Sequence, residues 1–259
     1  MRAVWLIVCA LRLAPSLLAT SSIAQQASQG FEHATTTQKV VALTFDADMT
    51  PKMLHDLKIG KVASWYNENV IAVLRREQVP ATLFLTGMWI ETYVAATTEL
   101  SGDPLFEIGN HSYSHGGFIS PCYGLKPIAE QNEAIEVQKT DALLKKYTTA
   151  YVKYTTAYVK YFRFPGLCAD ADDVKKVERQ GYTVIGADVS GGDGFEKNPR
   201  SIVAAVVGHV RPGSIVVLHL HGGPNAPETA AALPEIIRKL RLAGYTFVKV
   251  SDLLRLSGR

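Results

Sequence analysis

Seven short apolar runs punctuate the chain. The first three are Val40-Val41-Ala42-Leu43-Thr44-Phe45, Ala81-Thr82-Leu83-Phe84-Leu85 and the brief Phe106-Glu107-Ile108. Tyr161-Phe162-Arg163-Phe164, Tyr182-Thr183-Val184-Ile185, Ile215-Val216-Val217-Leu218 and Tyr245-Thr246-Phe247-Val248-Lys249-Val250 follow. Apolar runs of this length read as buried strands. Between them the spacing lengthens to a period near 3.6 residues, the mark of a one-faced helix. Val62, Trp65, Tyr66, Val70, Val73 and Leu74 share one such face, Ile202, Val203, Val206 and Val207 a second, and Leu233, Ile236, Ile237 and Leu240 a third. Asn198-Pro199 predicts a helix start, a capping side chain followed by a residue with no amide to leave unpaired. Gly244 fits a helix stop. Strand and helix in alternation imply a parallel sheet covered by helices. Seven runs predict an α/β fold, an irregular (β/α)7-type barrel over residues 39–259, with a doubly wound open sheet as the alternative.

The segments outside this pattern read differently. Met1-Arg2 followed by the largely apolar stretch Ala3 to Ala19, with small residues at Ser22-Ile23-Ala24, predicts an export signal over residues 1–24. A membrane anchor is the rival reading. Arg12 and Pro15 interrupt the stretch, which is short for a span of ~20 residues. The expectation is a secreted or periplasmic protein with no stable membrane insertion after cleavage. Residues 25–38 are rich in Gln, Ser and Thr and predict a disordered lead-in. Tyr147-Thr148-Thr149-Ala150-Tyr151-Val152-Lys153 recurs at once as residues 154–160. Two short copies are too few for a solenoid and read as an in-frame duplication.

Charge changes the picture little. The formal net charge is +3, and removing Arg2 and Arg12 with the signal leaves +1. No Lys or Arg run offers a stripe for nucleic acid, so a nucleic-acid partner is not expected. Cys9 would leave with the signal. Cys122 and Cys168 then form an even pair, able to bond in an oxidising compartment or to remain two thiols.

Polar residues gather where the apolar runs end, and in barrels of alternating strand and helix that edge carries the active site. Asp46 and Asp48 follow the first run, His111 and His115 the third, and Arg163 and Pro165 close the fourth. Asp188 and Asp193 follow the fifth, His219 and His221 the sixth. His111-Ser112-Tyr113-Ser114-His115 is an H-x-x-x-H pair, and on a helical turn its imidazoles reach one ion. Two-histidine catalytic zinc sites commonly take a carboxylate as third ligand. In Asp46-Ala47-Asp48 an extended backbone would turn both carboxylates to one side.

Taken in order, these segments resemble the NodB-homology polysaccharide deacetylases, carbohydrate esterase family 4. The family's T-F-D-D-G motif corresponds to Thr44-Phe45-Asp46-Ala47-Asp48, and its H-S/T-x-x-H to His111 through His115. Its R-x-P-Y/F-G is matched in part by Arg163-Phe164-Pro165-Gly166. Its D-x-x-D-W is echoed between Asp188 and Phe195, and its L-x-H-like strand end is Val217-Leu218-His219. The likeness runs over about residues 40–254. It implies a metal-dependent hydrolase that removes N-acetyl groups from amino sugars in a polysaccharide: chitin-like, peptidoglycan or exopolysaccharide.

The resemblance also implies roles. Asp46 is the expected general base and Arg163 its ion-pair partner. Asp48, His111 and His115 are the expected ligands of a divalent metal, zinc the first expectation. The family's metal-binding Asp falls on Ala47, which cannot coordinate, so Asp48 stands in for it. The Gly166 amide is the expected oxyanion donor, His219 the general acid, and Asp193, or failing it Asp188, the carboxylate that orients His219. Trp65, Trp89 and Tyr113 are candidate sugar-stacking residues. Ala47 keeps open a metal-independent amidohydrolase of cyclic ureides or imides on the same barrel. A non-catalytic glycan-binding relative is the other alternative, and retained Asp46 and His219 argue against it.

Overall fold

A computed structural model describes residues 30–148 and 158–258. Each of the seven apolar runs contributes to a strand. The strands are β1 (Val40–Ala47), β2 (Ala81–Leu85), β3 (Phe106–Asn110), β4 (Tyr158–Phe162), β5 (Thr183–Val184), β6 (Val189–Ser190), β7 (Ser214–His219) and β8 (Thr246–Phe247). All pairings between them are parallel, in the order β5-β4-β3-β2-β1-β7-β6, with β8 beside the start of β1. Nine α-helices lie among the described residues: α1 (Pro51–Lys58), α2 (Glu68–Arg76), α3 (Gly87–Thr92), α4 (Val94–Gly102), α5 (Glu130–Thr148), α6 (Ala171–Glu178), α7 (Pro199–His209), α8 (Thr229–Leu242) and α9 (Val250–Leu256). The sheet curls into the expected irregular barrel. Among the described residues no ladder closes β5 onto β6, the two ends of the order.

Residues 41 to 47 of β1 are all buried. Both faces of a parallel strand are covered, so such a strand has little use for a polar alternation. The side chains still alternate in direction. Val41, Leu43, Phe45 and Ala47 pack in the larger apolar core, with Val70 and Leu74 of α2 and Leu233, Ile236 and Ile237 of α8. Ala42 belongs to a second core with Phe84, Ile215 and the α9 residues Val250, Leu253 and Leu254. Thr44 and Asp46 share the facing of Ala42, towards the barrel's interior. Position 47 thus points into apolar packing, and positions 46 and 48 point the other way.

Local chemistry sets several helix starts. Thr50 accepts from the Met53 amide ahead of Pro51, Asp170 and Asp173 form a reciprocal cap on α6, and Asn198 accepts from the Arg200 amide at α7. Gly244 adopts φ +85°, the left-handed conformation of a helix stop.

The fold departs from the sequence reading at four points, two expectations changed and two elements added. The face read from Val62 onward becomes a helix only from Glu68, and Trp65 and Tyr66 precede it. The longest described helix, α5, carries no apolar stripe, because its buried positions are Glu133, Val137, Thr140, Leu144 and Thr148. The spacing is helical but the polar residue types conceal it. Residues 30–38 of the supposed lead-in are placed: Phe31 is buried and bridges Ile185, and His33 bridges Ser214. Finally, Val189–Ser190 adds a strand that no apolar run announced. Residues 1–29, with the expected signal, and residues 149–157 of the duplication lie outside the described residues. The first copy begins in the last turn of α5, and the second runs into β4. There Ile108 faces Tyr158 while Asn110 faces Phe162, a slip within the β3–β4 ladder. The Arg163 amide then donates to the Asn110 carbonyl at 3.0 Å, so the pairing recovers just before the motif arginine.

Candidate active site

Parallel register assembles the site. Asp46 is level with His219 of β7 and with Phe84 of β2, and Leu85 is level with Asn110 of β3. The residues that leave these strand ends therefore converge on one rim. They line one cavity of about 830 Å³, whose walls include Asp46, Asp48, His115, Gly166, His219 and His221.

Arg163 is fully buried beneath Asp46. Its Nη1 donates to Asp46 Oδ1 at 2.9 Å and to Thr44 Oγ1 at 2.6 Å, and its Nη2 to the Gly186 carbonyl at 3.0 Å. The guanidinium also lies over the Phe84 ring, 4.2 Å from its centre. Burial pushes the Arg163 pKa down, and Asp46 opposes that by stabilising the cation. The result fixes one carboxylate oxygen and leaves Oδ2 towards His111 Nε2 at 3.6 Å.

Asp48, His111 and His115 form a metal-ready group, with one ligand atom from each within 4.8 Å of the others. Asp48 Oδ1 and His111 Nε2 are buried, have no hydrogen-bond partner, and lie 3.5 Å apart. Asp48 Oδ2 is 3.2 Å from His115 Nε2. Tetrahedral ligands held ~2.1 Å from one ion sit ~3.4 Å apart, so the spacing and the two orphaned atoms fit a divalent cation. The Arg163 carbonyl, 2.8 Å from His111 Nδ1, can only accept. That nitrogen carries the proton, and Nε2 presents a lone pair. Burial pushes His115 down to about 4, so its imidazole is neutral at physiological pH. Burial also works against a charged His111, but the Asp46 and Asp48 carboxylates outweigh it and raise its pKa. Ion binding would take the place of that proton.

The H-x-x-x-H segment is a loop, not the helical turn its spacing predicted. Ser112 and His115 adopt φ +65° and +55°, the left-handed region that non-glycine residues rarely enter. Glu136 of α5 holds the loop in place. Its Oε2 accepts from the amides of Tyr113 and Ser114 at 2.9 and 2.7 Å, and its Oε1 from the Ser114 hydroxyl at 2.9 Å. No motif flags Glu136, because it is 21 residues beyond His115 on a helix without an apolar stripe.

His219 and Asp193 form a second unit. His219 Nδ1 lies 2.8 Å from Asp193 Oδ1, and the His219 amide donates to Oδ2 at 2.8 Å. Thr229 at the start of α8 donates to the same Oδ2. Burial disfavours a charged imidazole, yet Asp193 more than offsets that and the His219 pKa is pushed up to about 10. Gly194 lies flat on the ring, where a Cβ would come within 3.3 Å of it. Asp188 does not reach this pair. It accepts from the Ser214 hydroxyl and the Ile215 amide at the opposite end of β7, and from Arg211 in the turn that leads into that strand. Of the two, Asp193 is the one within reach of His219, because β7 puts its full length between that histidine and Asp188.

Tyr113 also leaves the cavity. Its ring packs against Gly87 under Lys139, and its hydroxyl donates to Glu91. The loop conformation that aims His115 inward turns Tyr113 outward. Trp89 is wholly buried among Tyr66 and Tyr93, whereas Trp65 lines the cavity and donates from Nε1 to the Met53 carbonyl. His221 puts Nε2 3.0 Å from both the Asp48 amide and Asp48 Oδ2. Cys122 and Cys168 are bonded to each other beside Gly166.

A polysaccharide deacetylase family model matches residues 33–185, more than half of the chain. The chain belongs to the polysaccharide deacetylase family. The family's hydrolases are the frame for the two units above. Among curated relatives of this deacetylase is a peptidoglycan-N-acetylglucosamine deacetylase of Bacillus cereus, 30% identical over 229 residues, covering 84% of this chain and 89% of the relative. The crystal structure of the Bc1960 peptidoglycan N-acetylglucosamine deacetylase shares the fold, with a TM-score of 0.69 at 22% identity over 86% of this chain and 91% of that one. A family 4 acetyl xylan esterase from Clostridium thermocellum, solved with a cobalt ion, superposes with a TM-score of 0.65 at 27% identity, over 85% of this chain and 92% of that one.

Proposed function

We propose that this deacetylase is a metal-dependent N-deacetylase of an amino-sugar polymer, with peptidoglycan glycan as the favoured substrate. The observation that carries the reading is one cavity edged by Asp46, by Asp48 and His115, and by His219. The substrate follows from the Bacillus cereus relative named above. Residues 1–24, read as an export signal, would take the enzyme to the compartment where that glycan lies.

Asp48, His111 and His115 would hold a divalent ion, zinc the first expectation, which supplies Lewis-acid polarisation of the acetyl carbonyl and acidifies water. Asp46 accepts a proton from the attacking water through the carboxylate that Arg163 anchors. Water oxygen bonds to the acetyl carbon, and the Gly166 amide at the cavity wall faces the developing oxyanion. The C–N bond then breaks, acetate departs, and the sugar amine takes its proton from His219. Asp193 keeps His219 charged for that transfer. In the amidohydrolase alternative, Ala47 leaves the metal site one ligand short; Asp48 beside both histidines supports a full set instead.

The test is acetate release from acetylated chito-oligosaccharides and from peptidoglycan, with chelator and with zinc restored. Release that stops on chelation and returns with zinc is expected, and Asp48→Ala should fail to recover with the metal. Release indifferent to chelation would overturn the reading.

A further inference from the structure

Two large aromatic side chains are strongly exposed among the described residues, Tyr123 at 71% and Phe195 at 73%. They touch. Their ring centres lie 5.6 Å apart with the planes inclined by 35°. They arrive from different loops, one after β3 and one after β6, and both line the cavity that holds Asp46 and His219. Scattered exposed apolar residues are ordinary, but paired exposed aromatics at the mouth of a catalytic cavity mark a contact surface.

The placement is built. Tyr123 adopts φ +44° and is followed by Gly124 at φ +75°. Its neighbour Cys122 is bonded to Cys168, which ties this loop to the segment after Arg163. The Tyr123 ring lies on Gly166, where a Cβ would come within 3.1 Å of it and within 2.7 Å of Cys122 Sγ. A bare glycine therefore lets the ring settle at the rim. Phe195 follows Gly194, which lies on the His219 ring, so its position is set from the catalytic side.

Resting on the deacetylase reading above, we propose that Tyr123 and Phe195 form a stacking platform for a pyranose ring adjoining the sugar that loses its acetyl group. The occupant follows from chemistry and place. A pyranose offers an apolar C–H face rimmed by hydroxyls, which suits an aromatic surface with water at its edge. A cavity of about 830 Å³ is at the large end of ligand sites, with room for more than one ring. The enzyme so built acts within a chain and handles a single sugar poorly.

Full-length wild type, Tyr123→Ala, Phe195→Ala and the rescue variants Tyr123→Phe and Phe195→Tyr should be compared on acetylated chito-oligosaccharides of increasing length. KM for the longer oligomers should rise about tenfold per lost ring with kcat little changed, and the aromatic replacements should restore it. Calorimetric titration of chitotetraose into the Asp46→Asn protein, with and without Tyr123→Ala, should show the same weakening without turnover. Unchanged KM and unchanged binding in the alanine variants would overturn the platform while acetate release upholds the deacetylase. No acetate release, with tetraose binding that still needs Tyr123, would do the reverse. Wild type that neither binds nor deacetylates the oligomers would overturn both.

Discussion

At the scale of single residues the pair His219–Asp193 has the sharpest consequences. The His219 pKa of about 10 lies above the ~6.5 of an unfolded histidine. Its charged form is therefore favoured by folding. The pair's contribution to stability is fully present below pH ~6.5 and is lost as the pH rises through about 10. In the proposed mechanism the same proton is the one donated to the leaving amine. Asp193→Asn should move the basic limb of the kcat profile down by several pH units and cost about 10²-fold or more at neutral pH, without changing bound metal. A pH–rate profile on both proteins checks this, and an unmoved limb would mean that another group is the acid. Residues of this kind were largely legible in the sequence. Asp46, His111, Arg163 and His219 each stand at or next to the end of a strand that an apolar run announces, and a parallel register carries such ends to one rim. Thr229, Glu136 and Tyr123 were not legible, because they come from elements that carry no motif and meet the site only in three dimensions.

The elements show why one spacing was misread. H-x-x-x-H suits a helix, where residues four apart share a face. Here the same convergence is reached by two left-handed residues and a carboxylate clamp from α5. The helix that supplies the clamp was itself hidden by buried Glu133, which Lys176 neutralises at 3.1 Å. Supporting partners of metal ligands commonly set affinity by 10- to 100-fold. Glu136→Ala should weaken zinc binding by roughly that factor, measured by competition with a chelating dye, while the folded content stays near wild type. Undiminished affinity would show that the loop keeps its shape unaided. Apolar periodicity found the strands because burial on both faces leaves little ambiguity there, as in β1 and β2. It failed for the two-residue β6, where pairing with β7 rather than composition makes the strand.

Across the whole molecule, the Cys122–Cys168 bond joins residues 46 positions apart whose Cα atoms are 6.0 Å distant. Closing a loop of that length stabilises a fold by about 2–4 kcal/mol. Cys122→Ser, or a reductant on the wild type, should lower the melting temperature by roughly 5–15 °C. It should also loosen Tyr123 and raise KM before kcat falls. A melting curve that ignores reductant would count against a structural role for the bond. The sequence could name the two cysteines but not their geometry, since pairing needs the loop after β3 to meet the segment after β4.

The segment around Phe31 has a further consequence. Phe31 bridges Ile185 beside β5, and His33 bridges Ser214 at the start of β7, with its imidazole Nε2 2.9 Å from the Pro212 carbonyl. Two neighbouring residues thus tie β5, one end of the sheet, to β7, the strand just inside the other end. Those contacts span 154 and 181 positions, so a ribosome must have delivered most of the protein before Phe31 and His33 find their partners. Until then the nascent sheet has an open flank, the kind of edge that invites association with other chains. If the chain is exported as an extended thread, as proposed above, it would meet this delay again on the far side of the membrane, with Phe31 and His33 arriving ahead of the partners that seat them.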